Sequence, residues 1–150
     1  MDPRARSFDR LAPGDRFVSA PRIIRREDID RFSDLSGDRT ELHTDDAWAA
    51  AGPLGGVVAH GALALAVATG LAYDLGVFRG TVLAFRSLTA SFDRPVYPGD
   101  EVRLELTVSA LEPPRRPDRG RAEFEMVLRN QEGRKVLTGT WTLLLKRGES

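Results

Sequence analysis

The chain has 150 residues, 41% of them hydrophobic, with 22 basic and 22 acidic side chains and a formal net charge of zero. That length suits one domain, residues 1–150, with a sizeable core, and the balanced charge supplies no long-range attraction to nucleic acid. Absence of cysteine leaves no disulfide or thiolate chemistry, and two histidines are few for a zinc centre, so no metal is expected.

The start, MDPRARSFDRL, has basic residues but lacks the apolar run of a signal peptide, and a cytoplasmic protein is expected. Residues 1–14 read as an irregular N-terminal arm. Arg16 to Ile24 reads as a short strand, with Pro21 marking an edge or bulge. From Arg25 to Leu35 the period becomes helical: Ile29, Phe32 and Leu35 fall on one face, Glu27 and Asp28 suit the positive end, and Gly37 ends the helix. Ser36 to Leu42 reads as a polar loop, and Thr44 as the cap of a short helix, DDAWAAA.

Gly52, Pro53, Gly55 and Gly56 then break the chain before its most distinctive stretch. From Val57 to Tyr73 no side chain carries a formal charge unless His60 is protonated, and Ala and Leu dominate. A helix apolar on nearly every face is buried in protein or spans a membrane. Spanning takes roughly 20 strongly apolar residues, so this shorter, glycine-flanked run reads as a buried core helix. Its small residues at Gly61, Ala62, Ala64, Ala66, Ala68 and Ala72 allow close approach of other backbone.

After Gly80 the pattern is β. Thr81 to Asp93 is apolar on both faces, as in a strand covered on both sides. Val102, Leu104, Leu106, Val108 and Ala110 alternate with polar residues, as do Ala122, Phe124, Met126 and Leu128, and then Leu137, Trp141, Leu143 and Leu145. YPGD, EPPRRPDRG and NQEG are turn chemistry, and the arginine-rich PPRRPDRGR reads as a solvated hairpin loop. One apolar helix followed by an antiparallel meander implies an α+β fold in which the sheet wraps the helix.

Chemistry concentrates before and at the start of that helix. Asp38 and His43 stand on the loop SGDRTELHTDD, and His60 precedes Gly61. Such a His and Asp are a weak signal alone. The string FSDLSGDRTELHTDDAWA, followed by VVAHGALAL and SFDRPVYPGDEV, resembles the MaoC-like (R)-specific enoyl-thioester hydratases and dehydratases of the hotdog fold. Ser36, Gly37, Asp38, His43, Asp45, Ala49, His60 and Gly61 match that family's S-G-D-x-N-P-x-H-x-D-x-x-x-A and H-G segments. Phe92, Pro95, Val96, Gly99 and Asp100 match its F-x-x-P-V-x-x-G-D segment. Asp100 itself reads as turn chemistry.

The resemblance implies an antiparallel sheet around a central helix, and cofactor-free reversible hydration of trans-2-enoyl thioesters of coenzyme A or acyl carrier protein to (R)-3-hydroxyacyl thioesters. It makes Asp38 and His43 the acid–base pair and the backbone N–H of Gly61 the oxyanion donor, where a side chain would crowd the thioester. Ser36, Thr69 and His60 are supporting candidates. His60 reads as a structural residue bonding loop backbone, and Thr69 either bonds the catalytic loop or back-bonds to its own helix. A homodimer is implied, with no nucleic-acid or membrane partner.

The chain departs from the family where Thr40-Glu41 replaces Asn-Pro. Losing proline frees the loop, and a negative Glu41 would raise the pKa of Asp38. That change keeps a non-catalytic partner subunit open as a reading. A hotdog thioesterase is the other alternative, although its usual H-G-G and helix acid are here His60-Gly61-Ala62 with no acid before Asp74.

Overall fold

The alternating segments pair as one antiparallel sheet. The computed structural model describes residues 2–148. Its six strands are β1 (Arg16–Val18), β2 (Arg22–Ile23), β3 (Val82–Phe92), β4 (Glu101–Leu111), β5 (Arg119–Arg129) and β6 (Lys135–Lys146). Their order is β1-β4-β5-β6-β3, with β2 also on β4. Because side chains alternate across a strand, β4 sends Val102, Leu104, Leu106 and Val108 inward. Ala122, Phe124, Met126 and Leu128 of β5 face the same core, and all eight are at most 1% exposed. Burying a large apolar side chain is worth about 1.5–3 kcal/mol, so these two strands carry much of the stability. Ala110 departs from the expected alternation. The β4–β5 register slips between Val108 and Ala110, and the bulge turns Ala110 out to solvent.

The strand expected over 16–24 is two short pieces flanking Pro21, both on β4. Between them Ser19 takes over the pairing, its N–H donating to Leu104 O at 2.9 Å and its Oγ accepting from Leu104 N at 2.9 Å.

Helix α1 (Arg26–Ser36) begins where Asp28 Oδ2 accepts from Arg25 N at 2.8 Å, and ends at Gly37, whose φ of 77° is open to glycine. Ile29 and Ser33 form its buried line. Leu35, expected on that face, is 84% exposed, because two residues past Ser33 lies roughly 200° around the helix. The stretch expected to be a loop ends in a single helical turn, α2 (Glu41–Thr44), followed by α3 (Asp46–Ala51). Asp45 caps α3 by accepting from Trp48 N at 2.9 Å, in place of Thr44. The Thr44 hydroxyl instead donates to Arg39 O and Thr40 O at 3.0 and 3.1 Å.

The central helix α4 (Gly61–Asp74) packs Leu63, Ala64, Val67, Ala68, Leu71 and Ala72 into the core. Within one chain it is not covered all round: Ala62, Ala66, Thr69, Gly70 and Tyr73 lie exposed along one side. Strand β3 likewise departs from the expectation of cover on both faces. It pairs only with β6, and its Val82, Leu83, Phe85 and Leu88 are each 41–42% exposed. The arm before Gly14 is irregular except for a 3-10 turn at Phe8–Arg10, yet it is packed. Phe8 and Leu11 are buried, and the Phe8 ring fills the place a Cβ on Gly120 would need. Met1 of that arm lies outside the described residues. No helix among the described residues is long and apolar enough to cross a membrane.

Candidate active site

Hydroxyls shape the loop after α1. Ser36 Oγ donates to Phe32 O at 2.6 Å and accepts from Asp38 N at 3.1 Å, which aims the chain out of the helix. Asp38 Oδ1 then accepts from Thr40 N at 3.1 Å and from the Thr40 hydroxyl at 2.6 Å. These two bonds, hydroxyl first, hold the exposed Asp38 carboxyl below its ordinary value, with the nearby His43 and His60 rings acting in the same direction. The increase expected from Glu41 is therefore reversed: hydrogen bonds from Thr40 at direct contact outweigh a solvated like charge.

His43 sits half-buried on α2. Its Nδ1 lies 2.7 Å from Val58 O, and a carbonyl can only accept, so Nδ1 carries the proton and Nε2 is left bare. Val58 is itself pinned, donating its N–H to Leu42 O at 3.2 Å, while Ala59 N–H donates to Val96 O at 2.7 Å. The extended segment Val57–His60 thus fixes the histidine's tautomer and leads into α4.

His60 is 2% exposed and stacks on His43 with ring centroids 4.0 Å apart. Its Nε2 lies 3.2 Å from Asp38 O and 3.1 Å from Ser33 Oγ. The Asp38 carbonyl requires a donor, so Nε2 bears the proton, and the ring ties the loop backbone to the head of α4. Burial foremost pushes its pKa below 6.5, and the neighbouring His43 adds to that. An unfolded chain therefore takes up a proton that the folded one refuses. His60's contribution is intact above about pH 6.5 and lost as pH falls from there through the lower folded value. Thermal unfolding midpoints should fall on acidification through this range, and His60→Gln should flatten that fall. An equally steep fall in the variant would assign it to other groups.

One side-chain atom from each of Asp38, His43 and His60 lies within 4.8 Å of the others. The cluster commits one nitrogen of each ring to a carbonyl and leaves the other uncommitted, with the rings face to face. It is a compact acid–base set. Beside it opens a cleft of about 520 Å³, walled by His43, Gly61, Phe92, Arg94, Val96 and Val136 among others. Gly61 opens α4, ahead of the first intrahelical bond from Ala64 N–H to His60 O. Its free N–H is at the end of the helix where partial positive charge collects. A Cβ there would come within 2.5 Å of the Phe92 ring, so a side chain at 61 first displaces Phe92.

Thr69 lies apart. It donates to Ala66 O at 2.6 Å, eight residues beyond Gly61 and about 12 Å along the axis. Ser33, Thr40, Val58 and Phe92 were not expected at the site. Ser33 left a trace in sequence as a polar residue four positions from Ile29 on the buried line of α1, and Thr40 and Phe92 stand in segments that the family resemblance singles out, though with no site role attached.

Fold and site together define a hotdog domain with Asp38 and His43 gathered beside His60 at the head of its central helix. The MaoC like domain family matches residues 10–134, and the chain belongs to that family. Protein MaoC of Klebsiella aerogenes is 34% identical over 107 residues, which is 71% of this chain but 32% of that protein. The chain thus spans about a third of that relative. The (R)-specific enoyl-CoA hydratase of Aeromonas caviae is 33% identical over 112 residues, covering 75% of this chain and 79% of the enzyme. Among solved structures, the MaoC-like dehydratase of Rhodospirillum rubrum superposes with a TM-score of 0.87 at 29% identity, over 97% of this chain and all of the other.

Proposed function

We propose that the protein is a lyase that reversibly adds water across the double bond of trans-2-enoyl thioesters, giving (R)-3-hydroxyacyl thioesters. The observation that carries this reading is the His43 ring, its Nδ1 held by Val58 O and one of its nitrogens within 4.8 Å of an Asp38 carboxylate oxygen, at the edge of the cleft that Gly61 enters. Held between the two side chains, a water gives its oxygen to Cβ, one proton goes to Cα, and the other stays on the new hydroxyl. Negative charge that develops on the thioester oxygen meets the Gly61 N–H. A preorganised donor of this kind is worth about 3–4 kcal/mol in the transition state. Addition of water needs no cofactor beyond the carrier, coenzyme A or an acyl carrier protein.

The test is to supply trans-2-enoyl thioesters of several chain lengths. Loss of the conjugated absorbance without free thiol is the expected result. Thiol release at a catalytic rate would replace this reading with a thioesterase, which sends water to the carbonyl carbon. If neither reaction appears on either carrier or in the dehydration direction, the chain is a non-catalytic partner subunit.

The working unit is proposed to be a homodimer joined along β3. Eleven residues with one unpaired edge and exposed Val82, Leu83, Phe85 and Leu88 form a surface that soluble proteins ordinarily cover. A second copy's β3 would cover it and bring its surface against Phe92, which is 60% exposed at the cleft wall. Leu88→Asp should shift the mass in light scattering from dimer to monomer. An active parent that is already a monomer at micromolar concentration would rule the dimer out.

A further inference from the structure

The loop that carries Asp38 lacks proline yet is heavily tied. Thr40 gives both its hydroxyl and its amide to Asp38 Oδ1, at 2.6 and 3.1 Å. Thr44 fastens the carbonyls of Arg39 and Thr40, and Ser36 holds the Asp38 amide. The His60 ring fixes the Asp38 carbonyl from the other side at 3.2 Å. No protein hydrogen bond to Oδ2 is seen among the described residues.

We propose that Thr40 is a positioning residue for the reaction: by taking Oδ1 twice it fixes the rotation of the Asp38 carboxyl and leaves Oδ2 as the oxygen offered to the reacting water. The inference rests on the hydratase reading and adds to it a residue at the very place where the sequence departs from the family's Asn-Pro. Three physical points support it. A carboxyl free about its last torsion turns readily, and a pair of donors on one oxygen stops that rotation. A bond from a hydroxyl to an ionised carboxylate is charge-assisted and short, as the 2.6 Å separation shows. The same bonds favour the ionised state, in line with the lowered pKa of Asp38.

Other charges around the carboxyl do not supply this. Arg39 on the loop and Asp34 on α1 pair with each other at 3.1 Å, and both are largely exposed. Glu41 on α2 is exposed and of like sign. The rings of His43 on α2 and His60 at the head of α4 favour the carboxylate only when protonated, and more weakly than Thr40 does. Thr40 is thus the one neighbour that both charges and aims the group.

The experiment compares Thr40→Val with Thr40→Ser. In substrate-free protein, the Asp38 carboxyl is titrated by carbon NMR, its signal assigned by loss in Asp38→Asn. In parallel, kcat and KM are measured for hydration of trans-2-butenoyl-CoA. Thr40→Val should move the carboxyl midpoint up toward the ordinary aspartate value and lower kcat about tenfold, the worth of one charge-assisted hydrogen bond. KM should stay within about twofold, since Thr40 makes no substrate contact in this account. Thr40→Ser, which keeps the hydroxyl, should recover most of both. An unmoved midpoint in Thr40→Val would overturn the inference whatever happens to the rate. So would a moved midpoint with an unchanged kcat, or a loss that Thr40→Ser fails to recover. If Thr40→Val disturbs folding, Thr40→Ala takes its place. Should the parent protein hydrate nothing, the hydratase reading fails by itself, and the carboxyl titration still decides whether Thr40 holds Asp38.

Discussion

Asp38→Asn and His43→Ala are each expected to lower hydration turnover by at least about a hundredfold, the lower range for loss of a positioned acid or base. Asn keeps the shape of the aspartate and can still accept from Thr40, so the loop survives while the charge on the group facing the water is lost. The substitution at 38 should leave the unfolding midpoint close to the parent's, because the side chain is exposed. His43→Ala differs. It removes the bond to Val58 O and the stack on His60, so it should also cost stability, about 1–2 kcal/mol. Steady-state rates with matched thermal unfolding curves check both. Turnover like the parent's in either purified variant would remove that residue from the proposed pair.

The largest loss of stability is expected from Gly139→Ala on β6. A Cβ at that position would overlap Thr89 O and stand 2.8 Å from Thr89 C, and both are main-chain atoms of the neighbouring strand β3. No rotamer relieves such a contact, so either β3 shifts along its whole pairing with β6 or the ladder opens at Ala90 and Ser91. Overpacking that moves backbone costs about 3 kcal/mol, which for a chain of this size lowers the unfolding midpoint by roughly 6–12 °C. Gly56→Ala is the control, since nothing lies within 4 Å of its missing Cβ. A midpoint for Gly139→Ala within two degrees or so of that control would show that the strands yield more easily than their spacing implies. Because β3 is also the proposed dimer strand, light scattering on the folded fraction should show dissociation as well.

Much of the sheet was legible in the sequence because a strand with one buried face writes its period of two directly into the chain. Val102 to Val108, Ala122 to Leu128 and Leu137 to Leu145 all carry it. Ala110 broke the pattern because a bulge shifts register through the hydrogen-bond ladder, and no side chain announces that. The apolar run of α4 was equally plain, while its exposed side was not. An apolar surface reads the same in sequence whether its own chain or another copy covers it, which also explains why β3 was expected to be covered.

Asp38, His43 and Gly61 were visible as a set through the family resemblance of the segments that carry them, since the His and Asp by themselves are a weak signal. What they touch was decided by tertiary structure. The stack of His60 on His43, the buried Ser33 on α1, the Val58 carbonyl that fixes the His43 tautomer and the Phe92 ring over Gly61 join residues far apart in the chain. The effect of Thr40-Glu41 is instructive because it is local and still could not be read. Composition offered a repelling charge, but the backbone turned Thr40 into contact with the carboxylate and left Glu41 in solvent. Residue identity thus determined which groups were available at this site. Distance and direction, on which hydrogen bonds and charge interactions steeply depend, were fixed only when the sheet, α1 and α4 packed together.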